Sequence, residues 1–353
     1  WVVTAVNGFD QTERHLYYTS TEASPIQRQL YELDLKSGKT IRLTTLHGTH
    51  NAMVSADGHY ALDVLSSTDI ARRYDLIDAT NGKAIRTLQE DINPMKEVQH
   101  GETTLGTLKS KDGSDLYYRL VKPADFDPAK KYPVIFYVYG GPHEQLVTDT
   151  WLGGSNAWFQ LLAAKGYIIF TLDNHGTSNR GFAFESVIHR HLGTIEVEDQ
   201  MIGVDFLKTL PYVDAGRMAV DGWSYGGFMT LSLMLKHPGV FKVATAGGPV
   251  IDWKWYEVMY GERYMDTPQE NPEGYNDASL LNYVQNLKGR LMIIHDTKDA
   301  TVVWQNSLAF IKKCVDKGVQ VDYFVYPGHE HNVIGPDRLH LFHKLFQYYQ
   351  DHL

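Results

Sequence analysis

Met218-Ala219-Val220-Asp221-Gly222-Trp223-Ser224-Tyr225-Gly226-Gly227 is the stretch that decides the fold. Its first four residues read as a strand, and from Tyr225 the pattern changes to that of a helix running to residue 236. A strand that passes into a helix through G-x-S-x-G is a nucleophile elbow. Glycines flank the serine because the turn is strained and its neighbours leave no room for side chains. The helix that opens here points its positive end toward charge developing beside Ser224. In this setting the serine reads as a nucleophile rather than as a turn residue.

The flanking sequence alternates strands with helices. Strands are expected at 116–121, 134–139, 167–172, 218–221, 291–295 and 321–326. Helices are expected at 158–165, 197–210, 225–236, 304–317 and 337–353, the last with Leu339, Phe342, Phe346, Tyr349 and Leu353 on one stripe. Such alternation builds a mostly parallel sheet with helices on both faces, the α/β class. The expected catalytic domain is an α/β-hydrolase spanning residues 96–353.

An elbow serine requires an acid and then a histidine later in the chain. The strand at 291–295 runs into Asp296-Thr297-Lys298-Asp299, where Asp299 is preferred and Asp296, at the strand's end, is the fallback. The strand at 321–326 runs into His329-Glu330-His331, where spacing alone favours His331 only narrowly. This is not a zinc H-E-x-x-H, because Val333 occupies the place of the second histidine and no third ligand is evident. The strand at 134–139 leads into Gly140-Gly141-Pro142, where α/β-hydrolases place an oxyanion donor. The Tyr139 hydroxyl or a local N–H could serve there, with the Tyr225 N–H as the other donor. Beyond Pro249, Trp253, Tyr256, Glu257 and Tyr260 fall at i, i+3, i+4 and i+7 and are expected on one helix face. A carboxylate among aromatics suits a pocket rim better than a core, because a buried unpaired charge is costly.

The first 90 or so residues have another rhythm. The series Leu30–Leu43, turning at Gly38, recurs 44 residues on, turning at Gly82. That period fits β-propeller blades. Residues 1–95 are expected to hold about two blades, with a polar linker at 91–103. Two blades cannot close a ring, and the chain opens on Trp1-Val2-Val3, already strand-like. Further sequence is therefore expected upstream of an N-terminally truncated propeller.

The 353 residues are 43% hydrophobic and 21% charged, which excludes a disordered chain. Asp plus Glu number 42 against 33 Lys plus Arg, a net charge of −9 that argues against a general nucleic-acid binder. The longest apolar stretch is far too short to span a bilayer. The single Cys314 cannot form an internal disulfide and reads as a buried structural thiol.

Gly222-Trp223-Ser224-Tyr225-Gly226-Gly227-Phe228, Tyr139-Gly140-Gly141-Pro142 and Gly261-Glu262-Arg263-Tyr264 together resemble the prolyl oligopeptidase family, in its dipeptidyl peptidase IV and prolyl tripeptidyl peptidase branch. The resemblance covers essentially the whole chain. It implies a Ser224, Asp299, His331 triad and Tyr139 as the oxyanion hydroxyl. It also implies a proline-sized S1 pocket from Tyr225, Val250, Trp253, Tyr256, Tyr260 and Val302. Glu257 matches a carboxylate that anchors the substrate's amino terminus in the tripeptidyl type. Dipeptidyl peptidase IV enzymes usually read Asp-Asp-Asn-Val where this chain has Asp299-Ala300-Thr301-Val302. Residues 302–305 and 268–275 look more like the bacterial tripeptidyl enzymes. The expectation is thus a serine exopeptidase releasing Xaa-Xaa-Pro tripeptides, with Xaa-Pro dipeptide release as the alternative. An esterase or an inactive binding homologue ranks below both. The resemblance implies no metal or organic cofactor and a peptide partner with a free N-terminus and proline at P1. It implies a periplasmic or bacterial cell-surface setting, and it leaves a homodimer open.

Overall fold

The computed structural model describes residues 1–353. The N-terminal part forms two four-stranded antiparallel sheets. The first holds β1 (Val3–Phe9), β2 (His15–Ser20), β3 (Gln29–Asp34) and β4 (Thr40–Arg42); the second holds β5 (Thr49–Val54), β6 (Tyr60–Ser66), β7 (Arg73–Asp78) and β8 (Ala84–Glu90). Gly38 and Gly82, expected at equivalent turns, both adopt positive φ, +70° and +75°. Tyr17, Leu30 and Leu43 pack against Ala52, Ala61 and Ile77 between the sheets, the stacking that blades need.

From residue 103 the chain builds one eight-stranded sheet. Its elements in order are β9 (Thr103–Lys109), β10 (Asp115–Val121), β11 (Tyr132–Tyr137), α1 (Ala157–Ala164), β12 (Ile168–Leu172), the single-turn α2 (Phe182–Glu185), α3 (Ile195–Thr209), β13 (Val213–Trp223), α4 (Tyr225–Lys236), β14 (Val243–Gly247), α5 (Val258–Met265), α6 (Pro272–Ala278), β15 (Arg290–Asp296), α7 (Gln305–Lys317), β16 (Asp322–Tyr326) and α8 (Pro336–His352). The strand order is β16-β15-β14-β13-β11-β12-β10-β9. The pairings from β12 through β16 are parallel, while β9 and β10 join antiparallel at one edge.

Alternation along the strands sorts side chains into two cores. Ile135, Ile169, Ala219, Val243 and Ile294 face Trp158 of α1 and Leu341, Leu345 and Tyr349 of α8. Phe136, Phe170, Val220, Ala244 and Ile293 face the other way, toward Val204 of α3, Phe228 of α4 and Phe310 of α7. Cys314 lies buried in this second core, where burial pushes its thiol up to about 11. The blades meet the α/β part at the loop after β11. Gln27 Nε2 donates to Asp149 Oδ2 at 2.8 Å, and Arg28 donates to Gln145 Oε1 at 2.9 Å.

One expected element is corrected. Residues 253–260 do not form a single helix. Trp253–Trp255 is one 3₁₀ turn, Tyr256 and Glu257 are extended (ψ 162° and 142°), and α5 starts afresh at Val258. Asp252 caps the first turn and Glu257 the second, because each offers a carboxylate to freed N–H groups. The helical spacing of the aromatics is thus interrupted by two local caps.

Candidate active site

Ser224 stands between β13 and α4 with φ +63° and ψ −119°, a conformation costing a non-glycine residue on the order of 1–3 kcal/mol. The surroundings enforce it. A Cβ at Gly222 would lie 2.4 Å from both the Val138 and Gly226 carbonyl oxygens, and one at Gly226 2.4 Å from the Val138 oxygen. The Ser224 N–H donates to the Gly247 carbonyl of β14 at 2.8 Å, which fixes the turn. The Tyr225 N–H, first in α4, has no intrahelical acceptor and is free for a ligand.

Asp299 and His331 are brought together across the loops that follow β15 and β16. His331 Nδ1 lies 2.7 Å from Asp299 Oδ2. The other oxygen, Oδ1, accepts from the Thr301 and Val302 N–H groups at 2.9 and 2.8 Å. Burial opposes ionisation, yet the hydrogen bonds from His295, His331 and Val302 hold the Asp299 carboxyl well below the ordinary range. Asp296 ends β15, fully buried with neither oxygen partnered, and burial pushes it up to about 6. His329 turns away to Asp337, with Nε2 at 2.8 Å from Oδ2. His331 thus pairs with Asp299, and His329 with Asp337.

The Ser224 turn and the His331 loop meet at Gly247-Gly248. A Cβ on Gly248 would sit 3.5 Å from each of His331 Cε1, Asp299 Oδ2 and Trp223 Nε1. The Trp223 indole donates to the His331 carbonyl at 2.8 Å, joining the residue before the serine to the histidine's own backbone. The Ser224 hydroxyl makes no hydrogen bond to His331, whose ring bonds Asp299. Such bonds commonly tighten only when substrate arrives.

Tyr139 lies just past β11, half-buried, its ring centroid 6.1 Å from that of Tyr225. Its hydroxyl has no hydrogen-bond partner within the chain. Burial first, then the Glu144 carboxylate, pushes it up to about 12, so it is a neutral donor at ordinary pH. Next to it Gly140 takes φ +72°, and its carbonyl accepts from Asn174 Nδ2 at 2.9 Å.

Of the expected pocket residues, Tyr225, Trp253, Tyr256 and Tyr260 pack ring against ring. Trp253 stacks on Tyr260 (5.7 Å, 10°) and meets Tyr225 at 5.4 Å, while Tyr256 packs edge-on against both Trp253 and Tyr260. Trp253, Val250, Tyr225 and Val302 are buried and form a packed backing, whereas Tyr256 and Tyr260 keep exposed surface. Glu257 is exposed, and its Oε2 accepts from the Met259 N–H at 2.9 Å. It does not pair with Arg263.

Sequence reading missed Glu196. This residue of α3 is wholly buried, and its Oε1 accepts from the Tyr225 hydroxyl at 2.6 Å. Burial raises it to about 7. The available signal was a run of polar residues falling on the buried side of a helix.

The prolyl oligopeptidase family model matches residues 155–353, and the dipeptidyl peptidase IV N-terminal region model matches residues 1–72. Human dipeptidyl peptidase 8 is 29% identical over 95% of this chain and 39% of its own length. A dipeptidyl-aminopeptidase B-type protein of Sclerotinia sclerotiorum is 34% identical over 94% and 37%. Among solved structures, Porphyromonas gingivalis dipeptidyl peptidase 4 superposes with a TM-score of 0.91 at 33% identity. A dipeptidyl aminopeptidase IV-type protein from Bacteroides ovatus superposes at 0.95 with 47% identity. Each superposition covers the whole chain and half of the neighbour. The chain thus spans about two fifths of these curated relatives' length. With propeller-type blades ahead of an α/β-hydrolase sheet and both family models matched in order, the chain belongs to the prolyl oligopeptidase family, in its dipeptidyl peptidase IV branch.

Proposed function

We propose that this chain carries the catalytic centre of a serine exopeptidase that releases Xaa-Pro dipeptides from free peptide N-termini. The observation that carries the serine-peptidase part is the 2.7 Å contact of His331 with Asp299, beside a serine held in a strained strand–helix turn. Ser224 Oγ attacks the prolyl carbonyl while His331 Nε2 takes its proton, and Asp299 keeps the imidazole oriented. The oxyanion is held by the Tyr139 hydroxyl and the Tyr225 N–H. His331 then protonates the departing amine, and water deacylates the enzyme. Tyr225, Val250, Trp253, Tyr256, Tyr260 and Val302 form the pocket for the proline ring.

The kinship with dipeptidyl peptidases supports dipeptide release, the alternative reading of the sequence, over the tripeptide expectation. Tripeptide release retains its sequence motives, the Asp299-Ala300-Thr301-Val302 run, residues 302–305 and 268–275, and Glu257. We also propose that the blade region comprises residues 1–95 and the catalytic domain 96–353. Mass spectrometry of products from Xaa-Pro and Xaa-Xaa-Pro peptides, with Ser224→Ala as control, tests the function. Dipeptide products absent from the control support the proposal. Tripeptide products replace its specificity, and equal turnover by the control removes Ser224 from the chemistry.

A further inference from the structure

Helix α3 presents an unusual face to the core. Glu196, Asp199 and Gln200 stand at i, i+3 and i+4, so they share one side, and all three are buried. Buried polar groups cost stability unless partnered, so helix faces turned to a core are ordinarily apolar. These three direct their hydrogen bonds to Tyr225 at the start of α4 and to the loop after β12, which in turn bonds the Gly140 carbonyl.

The first route is short. Glu196 Oε1 accepts from the Tyr225 hydroxyl at 2.6 Å, and the same carboxylate accepts from the Gly193 and Thr194 N–H groups. Tyr225 is the residue whose main-chain N–H faces the oxyanion position. The second route has three links. Asp199 Oδ2 accepts from the His175 N–H at 2.8 Å and lies 2.7 Å from His175 Nδ1. Gln200 Nε2 donates to Asn174 Oδ1 at 2.6 Å and to the Leu172 carbonyl at 2.9 Å. Asn174 Nδ2 then donates to the Gly140 carbonyl at 2.9 Å, one residue beyond Tyr139.

We infer that Glu196, Asp199 and Gln200 form one positioning unit for the oxyanion hole, the first acting on Tyr225 and the other two acting through Asn174 and His175 on the Tyr139-Gly140 turn. The inference rests on the serine-peptidase reading above. Two donors borne by different strands must converge on one oxygen within a few tenths of an ångström to stabilise it. A single helix bonded both to Tyr225 and to the Asn174 loop that holds the Gly140 carbonyl sets their separation. Gly203, one turn along, lets that helix sit tightly on the sheet, since a Cβ there would lie 2.8 Å from Phe170.

The test uses the intact protein that carries this chain, with Gln200→Met, Glu196→Met and Glu196→Gln, and a prolyl anilide substrate. Turnover is expressed per site counted by end-point fluorophosphonate labelling, so unfolded protein drops out. Each Met variant should lose about tenfold to a hundredfold in kcat with KM within about threefold, since the oxyanion forms only after binding. Glu196→Gln keeps an acceptor for the Tyr225 hydroxyl and should recover most of the Glu196→Met loss. Normal kcat per labelled site in both Met variants would overturn the positioning unit and leave the serine-peptidase reading intact. So would equal losses in kcat for Glu196→Gln and Glu196→Met. A wild-type protein that takes no label at Ser224 would overturn that reading and this inference together.

Discussion

Replacing Tyr139 by phenylalanine removes one oxygen and nothing else. That hydroxyl has no partner inside the chain, and its ring would keep its place beside Tyr225. Folding should therefore change by less than about 0.5 kcal/mol, a shift of at most a degree or two in Tm. The reaction should change far more. Loss of one preorganised oxyanion donor costs about 2.7–4 kcal/mol, a factor of about 10²–10³ in kcat. KM should hold if the hydroxyl meets charge that appears only in the transition state. The ratio of wild-type to variant kcat should also stay constant from pH 6 to 9, since burial keeps the phenol protonated up to about 12. Steady-state hydrolysis of a prolyl anilide across that range, beside a thermal melt, reads every term. A variant within about threefold of wild-type kcat would refute the oxyanion role. A ratio falling steadily from pH 7 to 9 would show that the phenol ionises and that its burial has been misjudged.

Other outcomes follow from the same geometry. Ser224→Ala should abolish burst kinetics while folding normally, and a retained burst would transfer the nucleophile elsewhere. His331→Ala should cost orders of magnitude in kcat and His329→Ala only a few-fold, because His329 faces Asp337; the reverse order in the same anilide assay would exchange their roles. Glu257→Gln keeps an acceptor for the Met259 N–H, so its melt should match wild type. Its preference for free-amine over N-acetylated peptides should shrink about tenfold or more if the carboxylate anchors the substrate, and an unchanged preference would leave Glu257 a cap alone. Glu196 is raised from an unfolded value of about 4.3 to about 7, so the native state binds the extra proton between those values. Its contribution is fully present below about 4.3 and is lost as pH rises through 7, at most about 3.7 kcal/mol. Denaturant melts of Glu196→Gln should lose that decline; an identical slope in both proteins would show that Glu196 does not titrate there.

The elbow was readable because its glycines are required by contacts that any version of this turn must make, those with Val138 and Gly247. The blade turns were readable for a related reason, since Gly38 and Gly82 sit at positive φ. By contrast β14, Val-Ala-Thr-Ala-Gly, went unread. It lacks bulky alternation because both faces are covered, and a Cβ on Gly247 would run into the Trp223 ring. The 253–260 segment misled because aromatics at helical spacing also meet when a chain folds back over a break. His329 and His331 lie two residues apart in the loop after β16, so spacing alone does not separate them. Only the loop's path, sending one to Asp337 and the other to Asp299, separates them. Glu196 was hidden by its composition: an acidic helix start ordinarily marks a solvated end.

The bond from the Trp223 indole to the His331 carbonyl has a consequence for variation. What the tryptophan reads on the far loop is main chain, which every residue type supplies alike. The loop can thus drift in sequence on its outer side, at Glu330 or Asn332, without loosening the link. The tryptophan has less latitude, because its ring also fills the space over Gly247, so a replacement must supply the N–H and fit that space. The two ends of one contact therefore tolerate change unequally: one depends on a particular side chain, the other only on the course of the backbone.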